Sequence, residues 1–139
     1  MSALRICAGV LMGALATLGL VAVGGASDTA SSSGSCDLDL GESVFQLCST
    51  CHALQPDDRP REGPNLRGFS GRKAGTADGS FDYSPVLKQS GWVWDQALLQ
   101  AFLLNPRRAL PGTTMTFVGL KSAEDRVAVA CYLERETND

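Results

Sequence analysis

The sequence contains a single histidine, His52, among 139 residues, so it has no set of Cys and His side chains at the spacing a zinc site needs. Aromatic residues are few (6%) while glycine is abundant (15 residues), which is poor provision for a large self-sufficient core. Basic charge is also scarce. Lys73, Lys88 and Lys121 are the only lysines, and the net charge of −3 argues against a nucleic-acid binder. No run of alternating apolar residues marks a strand, and no internal repeat appears, so a βαβ setting of the thioredoxin kind is absent.

Against these absences stands one pentapeptide, Cys48-Ser49-Thr50-Cys51-His52. Two thiols three residues apart followed at once by an imidazole form the attachment pattern of c-type haem. Two cysteine sulfurs can add across the two vinyl groups of one porphyrin edge only when they sit about one helical turn apart, and the next residue then presents its imidazole to the iron from the same face. His52 has no rival imidazole, so the other axial ligand must be a different residue type.

Residues 6–26 carry no charge and are rich in Leu, Val, Ala and Gly, with Arg5 just ahead. This is the pattern of an export segment. Gly24 and Ala26 suit the −3 and −1 positions of signal-peptidase cleavage, yet the run is long enough to span a bilayer uncleaved, so 1–26 reads as a signal peptide or a membrane anchor. Either way Arg5 keeps the N-terminus cytoplasmic and sends the remainder across, to the periplasm of a bacterial cell. Residues 27–40 open with a Ser-rich polar stretch that reads as a linker, and 41–139 form one domain. With Cys7 in the export segment and two cysteines assigned to haem, Cys36 and Cys131 remain. A disulfide between them is one arrangement and two unpaired thiols the other, because sequence does not report how close their Cα atoms come.

Within the domain, Asp39 with Glu42 three residues on has the form of a capping box opening a helix through Val44 and Phe45. Residues 53–83, with five glycines and three prolines, have neither helical nor strand periodicity, and a porphyrin would give such a loop something apolar to pack on. Ser84 followed by Pro85 signals a short helix ending near Gly91. Asp95 can cap another that carries Leu98, Leu99, Phe102 and Leu103 and stops before Pro106, and Ser122 with Asp125 opens a last helix bearing Val129, Tyr132 and Leu133. The expectation is a small all-α domain of three or four helices wrapped around one covalently bound haem.

From about Gly41 to Asp139 the sequence resembles the class I cytochromes c, particularly bacterial cytochrome c2 and the mitochondrial carrier. The resemblance rests on the haem pentapeptide, on Gly63-Pro64-Asn65-Leu66, Gly71-Arg72-Lys73, Trp94 and Asn105-Pro106, and on Pro111-Gly112-Thr113-Thr114-Met115 leading into Phe117-Val118-Gly119. It implies that Met115 is the sixth iron ligand opposite His52. In agreement, Met115 is the sole methionine outside the export segment, and a soft thioether favours Fe(II). It further implies that the Pro64 carbonyl accepts from the Nδ1–H of His52, fixing the tautomer that leaves Nε2 for iron. Arg72, Tyr83 and Trp94 would donate to the haem propionates, with Thr113 hydrogen-bonding near one of them. Gly41 and Phe45 match positions at which the first helix crosses the last, near Val129 and Tyr132.

Two features depart from the resemblance. Phe102 stands where many relatives have a tyrosine whose hydroxyl reaches the methionine sulfur. The usual lysine-rich rim is thin, although Arg107, Arg108 and Lys121 offer a local basic rim that could steer an encounter with an acidic surface. With both axial positions filled by protein, the resemblance implies a one-electron carrier and not an enzyme. Its donor would be a quinol–cytochrome c reductase and its acceptor a terminal oxidase or photosynthetic reaction centre. Two other readings remain open from sequence: a tethered haem subunit of a periplasmic oxidoreductase, and a peroxidase or sensor with a displaceable sixth ligand.

Overall fold

The structure, a computed structural model, describes residues 36–56, 61–77, 79 and 81–137. The expected export segment and residues 27–35 of the Ser-rich stretch lie outside the described residues. Among the described residues five helices follow one another: α1 (Leu38–Ser49), α2 (Pro85–Gln89), α3 (Gln96–Leu104), α4 (Pro106–Ala109) and α5 (Ala123–Thr137). Among the described residues there is no strand, only an isolated antiparallel bridge between Lys73 and Val93. None of these helices is long and apolar enough to cross a membrane.

The first helix begins two residues earlier than the expected capping box. Asp37, not Asp39, is the cap, its Oδ1 accepting from the Leu40 amide at 2.9 Å. Asp39 instead lies in the first turn, where a carboxylate suits the positive end of the helix dipole. Starting at Asp37 brings Leu38 and Asp39 into the helix, and Leu40 packs against the core. The helix therefore occupies the last part of the stretch that reads as linker.

The other caps follow the sequence more closely. The Asp95 carboxylate accepts from the Leu98 amide at 2.7 Å, and the Ser122 hydroxyl accepts from the Asp125 amide at 3.1 Å. α4 was not expected, since Pro106 reads as a helix stop. It is equally a restart: Asn105 ends α3 and its side chain accepts from the Arg108 amide at 3.1 Å, while Pro106 takes the first helical position, where its missing N–H costs nothing.

α1 packs across α5. A Cβ on Gly41 would run into the Ala128 carbonyl and lie 2.6 Å from the Tyr132 Cβ, so only glycine permits this approach. Phe45 meets Tyr132 at 5.7 Å between ring centroids, and Val129, fully buried, sits beneath them in a cluster with Val44, Phe69, Leu103, Leu120 and Leu133. Each such aliphatic side chain contributes about 1.5–3 kcal/mol on burial. A disulfide joins Cys36, next to the α1 cap, to Cys131 in α5, with their Cα atoms 5.6 Å apart. Of the two arrangements left open by sequence, the bridge is the one present.

The long loop has fastenings of its own. The Leu66 amide donates to the Ala53 carbonyl at 2.9 Å, the Gly63 amide to the Cys51 carbonyl at 3.0 Å and the Asn65 side-chain amide to the Gln55 carbonyl at 2.7 Å. Phe69 closes it onto the core with 4% of its surface exposed. Backbone and core contacts thus fasten the described parts of a segment to which, on the sequence reading, a porphyrin would offer an apolar surface.

Candidate haem site

α1 delivers the pentapeptide on its last turn. The Cys51 and His52 amides both donate to the Cys48 carbonyl, at 3.0 and 2.9 Å, so the helical turn continues through the motif and keeps the two thiols one turn apart. Both cysteines are free and half-buried, and Cys48 packs against the core. Burial, reinforced by the charge of Cys51, pushes the Cys48 thiol up to about 11, so it stays un-ionised at neutral pH in the folded chain.

His52 is fixed by its neighbours. Its Nδ1 lies 2.7 Å from the Pro64 carbonyl oxygen; that bond makes Nδ1 the protonated nitrogen and leaves the Nε2 lone pair for a metal. Burial lowers the His52 pKa, and the Pro64 bond opposes this only in part, so the ring is held neutral, the form that ligates. Gly63 contributes by having no side chain: a Cβ there would stand 2.5, 2.7 and 2.8 Å from Cε1, Nδ1 and Nε2 of the ring. In the sequence Gly63 stands only as part of a motif, with no local sign of this role.

A second group of side chains gathers around the Lys73–Val93 bridge. The Trp94 amide donates to the Arg72 carbonyl at 2.9 Å and the Gly71 amide to the Trp94 carbonyl at 2.8 Å, which sets Arg72 beside Trp94. The Arg72 guanidinium donates to the carbonyls of Arg67 and Asn65. Its pKa is lowered by burial, with Tyr83 acting in the opposite direction, so Arg72 and Tyr83 are electrostatic neighbours. Among the described residues no carboxylate pairs with this half-buried cation. Tyr83 is buried, and its hydroxyl accepts from the Ala77 amide at 3.1 Å. Ser84, expected as a helix cap, makes no side-chain capping bond; its hydroxyl oxygen is buried with no hydrogen-bond partner among the described residues. Sequence gave Ser84 only the capping role.

Met115 lies in the segment between α4 and α5. Its amide donates to the Thr113 hydroxyl at 3.3 Å, so Thr113 organises the turn that presents the thioether. The Gly112 backbone rests against Val86 of α2, which places this turn next to the helix that follows Tyr83 and Ser84. Met115, Cys48, Leu66, Trp94, Leu99 and Phe117 are all only partly buried, and all pack against the same core cluster. Phe102, buried, is walled in by Trp92 at 6.1 Å and Trp94 at 5.4 Å between ring centroids.

The geometry therefore has two free thiols, a neutral oriented imidazole, a lone thioether and a set of half-covered apolar side chains. Cytochrome c2 of Rhodoblastus acidophilus is 41% identical to this chain over 99 residues, spanning 71% of the chain and 92% of that protein. The chain belongs to the cytochrome c family. Cytochrome c2 of Rhodomicrobium vannielii is 45% identical over 93 residues, 67% of this chain and 74% of the relative, and cytochrome c of Chlamydomonas reinhardtii is 40% identical over 102 residues, 73% of this chain and 90% of the relative. Among solved structures, cytochrome cH from Methylobacterium extorquens matches with a TM-score of 0.66 at 35% identity, over 71% of this chain and 98% of that one. No family model matches the chain. Members of the cytochrome c family carry one covalently bound c-type haem and are electron-transfer proteins, not enzymes, so this chain is a haem-based electron carrier with the small all-α cytochrome c fold.

Proposed function

We propose that the protein is a one-electron carrier of a respiratory or photosynthetic chain, with haem joined to Cys48 and Cys51 and its iron held between His52 and Met115. The observation that carries this reading is the 2.7 Å contact from His52 Nδ1 to the Pro64 carbonyl, directly after the two free cysteines, because it leaves the lone pair of the other ring nitrogen available to a metal. When bound, the haem supplies an iron that exchanges one electron between Fe(III) and Fe(II).

The residues present suit that group. A half-buried guanidinium without a carboxylate partner and a buried hydroxyl without a hydrogen-bond partner, both among the described residues, are costly in isolation, and propionate carboxylates would satisfy both. Arg72, Tyr83, Trp94 and Ser84 would hold the propionates, Thr113 would keep the Met115 turn in place, and Leu66, Leu99 and Phe117 would exclude water from the porphyrin faces. Filling both axial positions with side chains leaves no open site for a substrate, which suits electron exchange and not bond chemistry.

A quinol–cytochrome c reductase as donor and a terminal oxidase or reaction centre as acceptor accord with this reading. Arg107, Arg108 and Lys121 are all exposed and would steer an acidic partner toward the methionine segment. A periplasmic location is supported by the apolar run at 6–26 and by the Cys36–Cys131 disulfide, which belongs to an oxidising compartment.

Met115→Ala is the test. The variant should keep its haem, lose the weak near-infrared methionine–iron band of the oxidised form and show a lower reduction potential. An unaltered spectrum and potential would place the sixth ligand elsewhere.

A further inference from the structure

The segment carrying Met115 is fastened at both ends. At its entrance the Thr113 amide donates to the Leu110 carbonyl at 3.1 Å. At its exit the Leu120 amide donates to the Leu103 carbonyl of α3 at 2.8 Å, and the Leu120 side chain is buried in the core. The exit has a second fastening from α5. Nη1 of Arg126 lies 2.8 Å from the Leu120 carbonyl oxygen, 2.9 Å from that of Lys121 and 3.0 Å from that of Ser122. One cationic nitrogen is thus shared among three consecutive carbonyls.

Helix stability does not account for this placement. A cation near the N-terminal end of α5 opposes the helix dipole, and the first-turn acids Glu124 and Asp125 already meet the helix's own electrostatic preference. The guanidinium is instead aimed backward, at the chain that leads in from Met115. Hydrogen bonds from a charged donor are stronger than neutral ones, and the Leu120 carbonyl contact is partly shielded from water.

We propose that Arg126 is a positioning residue for Met115: by gathering the Leu120, Lys121 and Ser122 carbonyls it holds the exit of the segment, and through it the thioether, in the ligating arrangement. This rests on the reading of Met115 as sixth ligand. Without Arg126 the exit opens locally more often, and a competing ligand gains in apparent affinity in proportion to the open fraction.

The test is imidazole binding to the oxidised, haem-loaded protein, together with hydrogen exchange at the Leu120 amide. Arg126→Gln should bind imidazole about tenfold more tightly and exchange the Leu120 amide about tenfold faster. Arg126→Lys, whose ammonium can still donate to the same carbonyls, should fall between it and the wild type. Val129→Ala, which opens a core cavity without touching the three carbonyls, serves as the control for general loss of stability and should bind within about twofold of the wild type. Unchanged affinity in Arg126→Gln, or equal tightening in Val129→Ala, overturns the proposal. Should Arg126→Gln fail to yield loaded protein, Arg126→Lys carries the comparison, and its identity with the wild type is the overturning result. If Met115→Ala binds imidazole no better than the wild type, the ligand assignment itself falls and takes this proposal with it, which separates the two failures.

Discussion

The Nδ1 of His52 and the carbonyl oxygen of Pro64 are 2.7 Å apart, and Gly63, one residue earlier, lies against the same imidazole ring. The loop that orients the ring therefore also limits how far it can turn. Gly63→Ala would place a methyl 2.5–2.8 Å from three ring atoms, and either the ring or the loop must move. Overpacking of this kind costs about 1–3 kcal/mol. Thermal unfolding of the haem-loaded variant should show a lower midpoint, and under the proposal that His52 ligates the iron its reduction potential should shift as well. Wild-type values for both would mean that the ring has room this geometry denies it.

Burial dominates the titration of His52 and lowers its pKa from the ordinary 6.5. Protonation is thus easier in the unfolded chain than in the folded one, and the unfolded state takes up more protons as pH falls below 6.5. The stability that a neutral His52 contributes is complete above that value and is lost on acidification through its lowered folded pKa. Guanidinium unfolding midpoints measured from pH 8 downward should stay level until about 6.5 and then decline. A midpoint that rose on acidification below that value would reverse the sign and refute the assignment.

Cys36 and Cys131 are separated by 95 residues in sequence, so their disulfide removes a large amount of freedom from the unfolded chain. Chain-entropy reasoning for a loop of that size gives about 4–5 kcal/mol, and observed contributions run from about 2 to 5. Replacing both cysteines by serine should lower unfolding stability by that amount and leave the visible spectrum and potential of the haem-loaded protein unchanged, since neither residue belongs to the site. A shifted potential would show that the bridge reaches the iron's surroundings after all.

The legible and the illegible parts of this chain divide by range. Caps at Asp95 and Ser122, the proline start of α2 and the pentapeptide are local, and each could be read because cause and effect lie within four residues. Asp37 and Asp39 are both capping residues by type, and no local rule separates them. α4 was concealed because Asn105-Pro106 serves as both terminator and cap. In the site, the His52–Pro64 bond came from family resemblance and the structure contains it. The steric role of Gly63, the carbonyls gathered by Arg126 and the orphaned Ser84 hydroxyl depend on three-dimensional neighbours and leave no pattern in sequence.

Ser84 separates a structural from a functional reading by the sign of one substitution. Its hydroxyl oxygen is buried without a partner among the described residues, and an unpaired buried hydroxyl costs about 1–3 kcal/mol, so Ser84→Ala should be neutral or stabilising if nothing ever reaches that oxygen. In the haem-loaded protein a propionate carboxylate would accept from this hydroxyl, beside the Arg72–Tyr83 pair. Removing the donor should then destabilise the loaded protein by about 1–3 kcal/mol and shift its reduction potential, because one propionate charge loses a compensating bond. Denaturant unfolding and a redox titration of Ser84→Ala read the two effects independently. Increased stability with an unmoved potential would take Ser84 out of the site and leave Arg72, Tyr83 and Trp94 to hold both carboxylates.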